Sequence, residues 1–232
     1  MKNIFTLALI VLTLSSCQKE THDFTLNATI KGLKKGVVYL ERQQDSSMVV
    51  LDSLVINGNS NFQLHSDLSE PEVLFLRLDK NDSDEGVIVF FADKGTTEIT
   101  SDIKNFNFLS IIKGSRQQAV LDEYLLMMSK FNNKNLDMIK ENFEAQIKND
   151  SVKVNSIEEG FNNLLKRKYL YTINFAVNNK NSEVAPYLAI SEIPNTSVKF
   201  LETIYEALDE NIKQSMYGRE LKSKIEERSK SN

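Results

Sequence analysis

The sequence predicts an α+β protein in which an N-terminal antiparallel β-sandwich or barrel-like domain is followed by a helical region. Three observations carry this reading. From Phe24 to about Lys113, apolar and polar residues alternate in short runs separated by clusters of Gly, Asn and Asp. Beyond Gly114-Ser115 the apolar spacing changes to three and four residues, the period of a helix. The chain has 232 residues, 41% of them hydrophobic, with only 3 prolines and 8 glycines, so it carries enough apolar material for one or two ordinary cores.

In the β-rich part, Phe24, Leu26, Ala28 and Ile30 share one strand face while Thr25, Asn27 and Thr29 share the other. Gly32 and Gly36 bracket the basic turn Leu33-Lys34-Lys35. Val37-Val38-Tyr39-Leu40 follows, so these first two strands are predicted to pair as a hairpin. Residues 47–56 form a third run. The turn cluster 57–61, able to take positive φ, leads to Phe62-Gln63-Leu64. Runs at 73–78, 86–91, 96–100 and 106–112 complete seven or eight strands, the count of a sandwich or barrel. In the helical part, Tyr124, Met128 and Phe131, then Leu136, Ile139, Phe143 and Ile147, mark amphipathic stripes. A second stretch runs from Ile157 to Val177. Ser182-Glu183-Val184-Ala185-Pro186 reads as a helix start, with shorter helices over 197–208 and 210–228.

Residues 1–17 read MKNIFTLALIVLTLSSC: a positive charge at Lys2, an apolar run from Ile4 to Leu14, then small residues before a cysteine. That is the layout of a secretory signal, predicted over residues 1–16. The run is about a dozen residues, short of the roughly 20 that a membrane-spanning helix needs. Leu14-Ser15-Ser16-Cys17 resembles the lipobox of bacterial lipoproteins. The resemblance implies cleavage before Cys17, lipidation (palmitate included) of that cysteine, and a cell-envelope location, anchored at the outer membrane and facing the periplasm or the surface. Residues 17–23 then form a lipidated tether, polar after Cys17, which resembles the charged tract that directs some lipoproteins outward and reads equally well as a solvated spacer.

Several function classes are excluded by composition. Cys17 is the sole cysteine, so a structural disulfide, a CxxC pair and a thiolate zinc site are ruled out in the mature fold. His22 and His65 are the only imidazoles. Net charge is −4, and losing residues 1–16 removes only Lys2, leaving about −5, which disfavours nucleic acid as a partner. The acidic run 79–86 departs from the EF-hand template, because its glycine is two residues late and Phe90 occupies the place of the bidentate glutamate. Gly114-Ser115-Arg116 lacks what a nucleophile elbow or phosphate loop needs. A serine triad can be written from His65, Ser66 and Asp67, with His22 as a second imidazole, but these neighbours are read as a loop that does not converge on one proton path. Apart from Cys17, no catalytic, metal or cofactor residue is assigned.

Phe24-Thr25-Leu26 through Ile30-Lys31-Gly32, Gly36-Val37-Val38-Tyr39-Leu40, Asp52-Ser53 with Val55-Ile56-Asn57-Gly58 and Phe62, and Lys113-Gly114-Ser115 resemble a β-rich domain of unknown function. That domain precedes thioredoxin-like, AhpC/TSA-type thiol-disulfide oxidoreductase domains in many bacterial lipoproteins. Ala185-Pro186-Tyr187, after Asn181-Ser182, and Ser215-Met216-Tyr217-Gly218-Arg219 resemble the helical linker of such proteins. Where family members begin the redox domain the sequence stops at Asn232, so no redox residue carries over. The domains expected are therefore the signal peptide 1–16, the tether 17–23, the β-rich domain 24–114 and the helical region 115–232. The expected function is that of a membrane-anchored envelope lipoprotein, not an enzyme, acting as a binding or accessory module with a thioredoxin-like protein as possible partner. The alternatives are a remnant or split half of a thiol-disulfide oxidoreductase, and a surface ligand-capture lipoprotein, which an exposed aromatic groove on the sheet would favour.

Overall fold

The computed structural model describes residues 22–79 and 86–230; the signal sequence, Cys17 and most of the acidic run 79–86 lie outside the described residues. The eight strands are β1 (Phe24–Lys31), β2 (Lys35–Gln44), β3 (Ser47–Asn57), β4 (Asn61–Ser66), β5 (Glu72–Leu78), β6 (Val87–Ala92), β7 (Gly95–Asp102) and β8 (Ile111–Lys113). They make two four-stranded sheets, the first in order β4-β1-β7-β8 and the second in order β3-β2-β5-β6. The core lies between them: Phe24, Leu26 and Ile30 of β1 with Leu64 of β4 face Leu40 of β2, Leu76 of β5 and Phe90 of β6. The fold is α+β, with a two-sheet sandwich preceding the helices.

Strand faces follow the alternation, whereas strand partners do not. β1 and β2 do not form the expected hairpin. β1 pairs antiparallel with β4 and parallel with β7, while β2 lies in the other sheet between β3 and β5. The apolar faces of β1 and β2 meet across the core, and Leu33 in the connecting turn is buried beneath them, so the short link arches between sheets. The β1–β7 pair also departs from an all-antiparallel sheet. The expected strand over 106–112 shrinks to β8. A 3-10 turn at Ile103–Asn105 is capped by the Asp102 carboxylate, and Ser101 Oγ donates to Phe106 O at 2.6 Å, which holds Phe106 in the core and leaves Phe108 exposed.

Six helices follow: α1 (Arg116–Ile147), α2 (Ser151–Asn178), α3 (Val184–Ser191), α4 (Val198–Ala207), α5 (Glu210–Lys213) and α6 (Met216–Lys230). The helix expected over 210–228 is broken in two. Ser215 Oγ donates to Ile212 O and accepts from Gly218 N, turning the chain between α5 and α6. α1 and α2 form a long antiparallel pair joined by a tight turn with Asn149 at φ 54°. The near ends of both, with α3 and α6, cover the outer face of the second sheet. There Val73 and Phe91 pack with Leu121, Tyr124, Phe175 and Leu188.

The start of α1 is fixed by the sandwich. Asp93, in the β6–β7 turn, accepts from Ser115 Oγ, Arg116 N and Gln117 N at 3.0, 2.9 and 3.3 Å, while Ser115 Oγ caps Gln118 N at 3.0 Å. Gly114 has φ +111°, and a Cβ there would lie 2.1 Å from Thr96 O. Gly114→Ala should therefore cost on the order of 3 kcal/mol of stability by combining backbone strain with a backbone clash. Urea unfolding of wild type and variant measures it, and an unchanged midpoint would refute this account of the junction.

Candidate functional site

A cleft of about 700 Å³ lies between the outer face of the second sheet and helices α3 and α6. Its apolar wall comes from Val73 and Phe75 of β5, Tyr187 and Ile190 of α3, and Met216 and Tyr217 of α6. The rings of Tyr187, Tyr217 and Phe91 meet in three edge-to-face contacts with centroids 5.3–5.7 Å apart. Asp45 and Glu220 bring exposed carboxylates to the opening, and Glu72 lines the cleft from a buried position. Asp45 sits at the tip of the two-residue β2–β3 hairpin with φ 53°, a conformation that aspartate tolerates better than most residues.

Each wall is held by a specific contact. Val73 N–H donates to Tyr217 Oη at 2.9 Å, fastening α6 to β5. Glu70, just before β5, accepts from Met216 N at the start of α6 and pairs with Arg219 at 2.8 Å. Glu72 is buried and pairs with Arg42 at 2.7 Å. Burial still holds its carboxyl above the usual range, because Arg42 offsets only part of the desolvation. Arg42 Nε is itself buried without a hydrogen-bond partner. Burial likewise raises the phenol pKa values of Tyr187 and Tyr217, which stay protonated at neutral pH.

On the far side of Arg42 is an open hollow of about 580 Å³ where the serine, histidine and aspartate considered above come together. His65 and Ser66 belong to β4 and not to a loop. His22 stacks on His65 with centroids 5.9 Å apart, and His22 Nδ1 lies 3.4 Å from Asp67 Oδ2. His65 Nδ1 is 3.1 Å from Thr25 Oγ1. Ser66 Oγ donates to Asp67 O at 3.4 Å, directing its hydroxyl proton at a carbonyl. The constellation thus assembles in space without a serine–histidine hydrogen bond. Asp23 is docked beside it: its carboxylate accepts from Leu68 N–H and pairs with Lys94, both at 2.8 Å. Among the described residues no group of three or more His, Cys, Asp or Glu is placed to hold a metal ion, and no helix is long and apolar enough to cross a membrane.

The match that bears on identity covers the sandwich and the first residues of α1. Residues 24–121 match the family model of a domain of unknown function, DUF4369. No curated protein and no solved structure matches the chain. The matched region includes Asp93 and Ser115, the two residues that cap α1, as well as Glu72 and Phe91 on the sheet side of the cleft. Tyr187, Tyr217 and Glu220 lie beyond it.

Sequence reasoning did not single out Glu72, Arg42, Asp45 or Glu220. Tyr187 and Tyr217 do fall in the two helical segments quoted for the resemblance, which was the available signal. Beside the cleft, Glu183 accepts from the amide of the buried Gln117, whose carbonyl accepts from Ser182 Oγ. Burial raises the Glu183 pKa above its ordinary 4.5, with nearby Asp93 adding to the effect. The folded protein therefore binds this proton more tightly than the unfolded chain, and stability falls as pH rises from about 4.5 through the folded pKa. Glu183→Gln keeps an acceptor for Gln117 and removes the charge. Its urea midpoint should decline less than that of wild type between pH 5 and 7.5, and parallel curves would show that Glu183 is not ionising at a cost.

Proposed function

We propose that this protein is a lipid-anchored lipoprotein of the bacterial cell envelope that works as a non-catalytic binding module, with the cleft beneath α3 and α6 as its ligand site. The observation that carries the reading is the aromatic cleft over the sheet, whose α6 wall is fastened to β5 and to Glu70 before it. Its buried polar groups are engaged in structure: the Tyr217 hydroxyl supports Val73, and Glu72 is paired with Arg42. Groups committed in this way hold shape and select ligands; no side chain there is set up as an activated nucleophile. Of the two kinds of module expected, ligand capture is thus favoured over a purely protein-binding accessory. The thioredoxin-linked reading rests on the family resemblance, and a neighbouring reading frame encoding a thioredoxin domain would support it.

The anchor belongs to the same proposal. The five Cα steps from Cys17 to His22 reach at most roughly 18 Å, so an acylated Cys17 would hold the sandwich close to the bilayer surface. Metabolic labelling with an alkyne fatty acid should mark the wild type and not Cys17→Ala; label on the variant would refute the anchor. For the cleft, native mass spectrometry of the detergent-extracted protein should show a bound envelope ligand that Ser191→Trp, at the exposed rim of α3, displaces. Equal retention by the variant would place the ligand elsewhere.

A further inference from the structure

We infer that the cleft takes a ligand bearing an ammonium or guanidinium group on an apolar stem, the chemistry of a lysine or arginine side chain in a peptide or of a free polyamine. The inference rests on the cleft being the binding site. Asp45, Glu72 and Glu220 line it, and no lysine or arginine does. Arg42 reaches Glu72 from behind and balances one of the three charges, leaving an excess of negative charge at the mouth. Glu72 is the deep member of the set, buried and only partly compensated by its one cationic partner, so a second cation would relieve a desolvation that Arg42 does not. Asp45 and Glu220 are exposed at the rim, where they steer an approaching cation without being needed for folding. Tyr187, half-buried, with Ile190 and Met216 supplies an apolar lining for an alkyl stem. An anionic ligand would meet repulsion from the two rim carboxylates. A neutral sugar could use the tyrosines but would leave the negative potential unanswered.

Calorimetric titration of the full chain in detergent tests this with four probes: spermidine, a capped Leu-Lys-Leu-Lys-Leu peptide, its norleucine isostere and its glutamate counterpart. Spermidine or the lysine peptide should bind, more weakly as salt is raised, and the other two should not. Binding by spermidine alone identifies a free amine, and binding by the lysine peptide alone identifies a peptide side chain held by its stem. The double variant Asp45→Asn, Glu220→Gln should lose about five- to tenfold in affinity. Glu72→Gln should lose more, and because it leaves Arg42 without its ion-pair partner its folding is checked by circular dichroism; the double variant carries the test if it misfolds. Equal binding of the norleucine peptide, an unaffected double variant or silence from both cationic probes would overturn the inference. A norleucine peptide that bound and was blocked by Ser191→Trp would leave the cleft as the binding site and remove only its preference for cations. If instead the envelope ligand survived Ser191→Trp, the cleft itself would be the wrong site.

Discussion

At one end of β5 and β6 the second sheet is apolar on both faces, and the placement of the helices follows from covering the outer one. β5 and β6 turn Leu74, Leu76, Ile88 and Phe90 toward the first sheet, yet Val73, Phe75 and Phe91 point the other way. Leaving Phe91 in water would forfeit about 2 kcal/mol or more of transfer free energy, and the side chain is fully buried by α1, α3 and α6. The sheet also has an edge to protect. β6 is the last strand of its sheet, and Phe91 N–H, directed away from β5, is taken by the buried carbonyl of Gln118 at 2.7 Å. Val73, opposite Phe91 in the β5–β6 register, lies beyond the end of the β2 pairing, and its N–H goes to Tyr217. Two helices thus satisfy two of the backbone donors that the sheet leaves open at this end. Where helices stop, Arg77 takes over the outer face, lying 4.2 Å from the Tyr39 ring centre and forking onto the buried Glu41.

That arrangement explains what could be read in advance. Alternation located nearly every strand, because a half-buried strand must alternate whichever partner it has. Pairing was not legible: β1 and β2 present similar apolar faces whether they lie side by side or across a core, and the arch through the buried Leu33 decides for the latter. The residues 106–112 misled because Phe106, Phe108, Ile111 and Ile112 mimic a strand while hydroxyl bonds from Ser101 and Ser110 fold most of the segment into turns. The helices themselves were legible, but of the two α1 stripes only Tyr124, Met128 and Phe131 pack in a core, while Leu136, Ile139, Phe143 and Ile147 stay exposed; the α5–α6 break was hidden in one serine. The cleft was legible only as two tyrosines in quoted segments. Glu72 and Arg42 are 30 residues apart and meet only because β2 and β5 are neighbours, so no local pattern announces them.

Fixing α1 at its first turn also sets the geometry of the cleft. Asp93 and Ser115 occupy three donors of the α1 N-terminus, and the side chains of Gln117 and Gln118, in that same first turn, are both buried and both committed. Gln118 bonds the β6 edge and Gln117 bonds Glu183 and Ser182 at the start of α3. α3, carrying Tyr187 and Ile190, is therefore positioned from the sandwich through two glutamines, and α6 is positioned independently through Glu70 and Tyr217. A cleft whose two walls are tied separately to one sheet loses little conformational entropy when it is filled, which is the condition for binding with few contacts.

Stability is spread unevenly around this junction. The near ends of α1 and α2 bury Tyr124, whose hydroxyl is 2.9 Å from that of Thr172, within a set of stacked and tilted rings that includes Tyr171 and Phe175. Toward the far end the buried set thins to Met138, Ala145 and Ile157, while Leu136, Phe143, Ile147 and Val152 stay exposed. Even there Gly160 allows close approach, since a Cβ would lie 2.6 Å from the Met138 methyl group. A helix pair with so few buried side chains opens at lower free energy than one anchored by a ring cluster, so amide exchange must be faster around the 147–152 turn than around Tyr124. The cleft sits at the well-packed end, against the sheet that orders both of its walls. Local opening of the far end therefore leaves Tyr187, Tyr217 and Glu72 undisturbed.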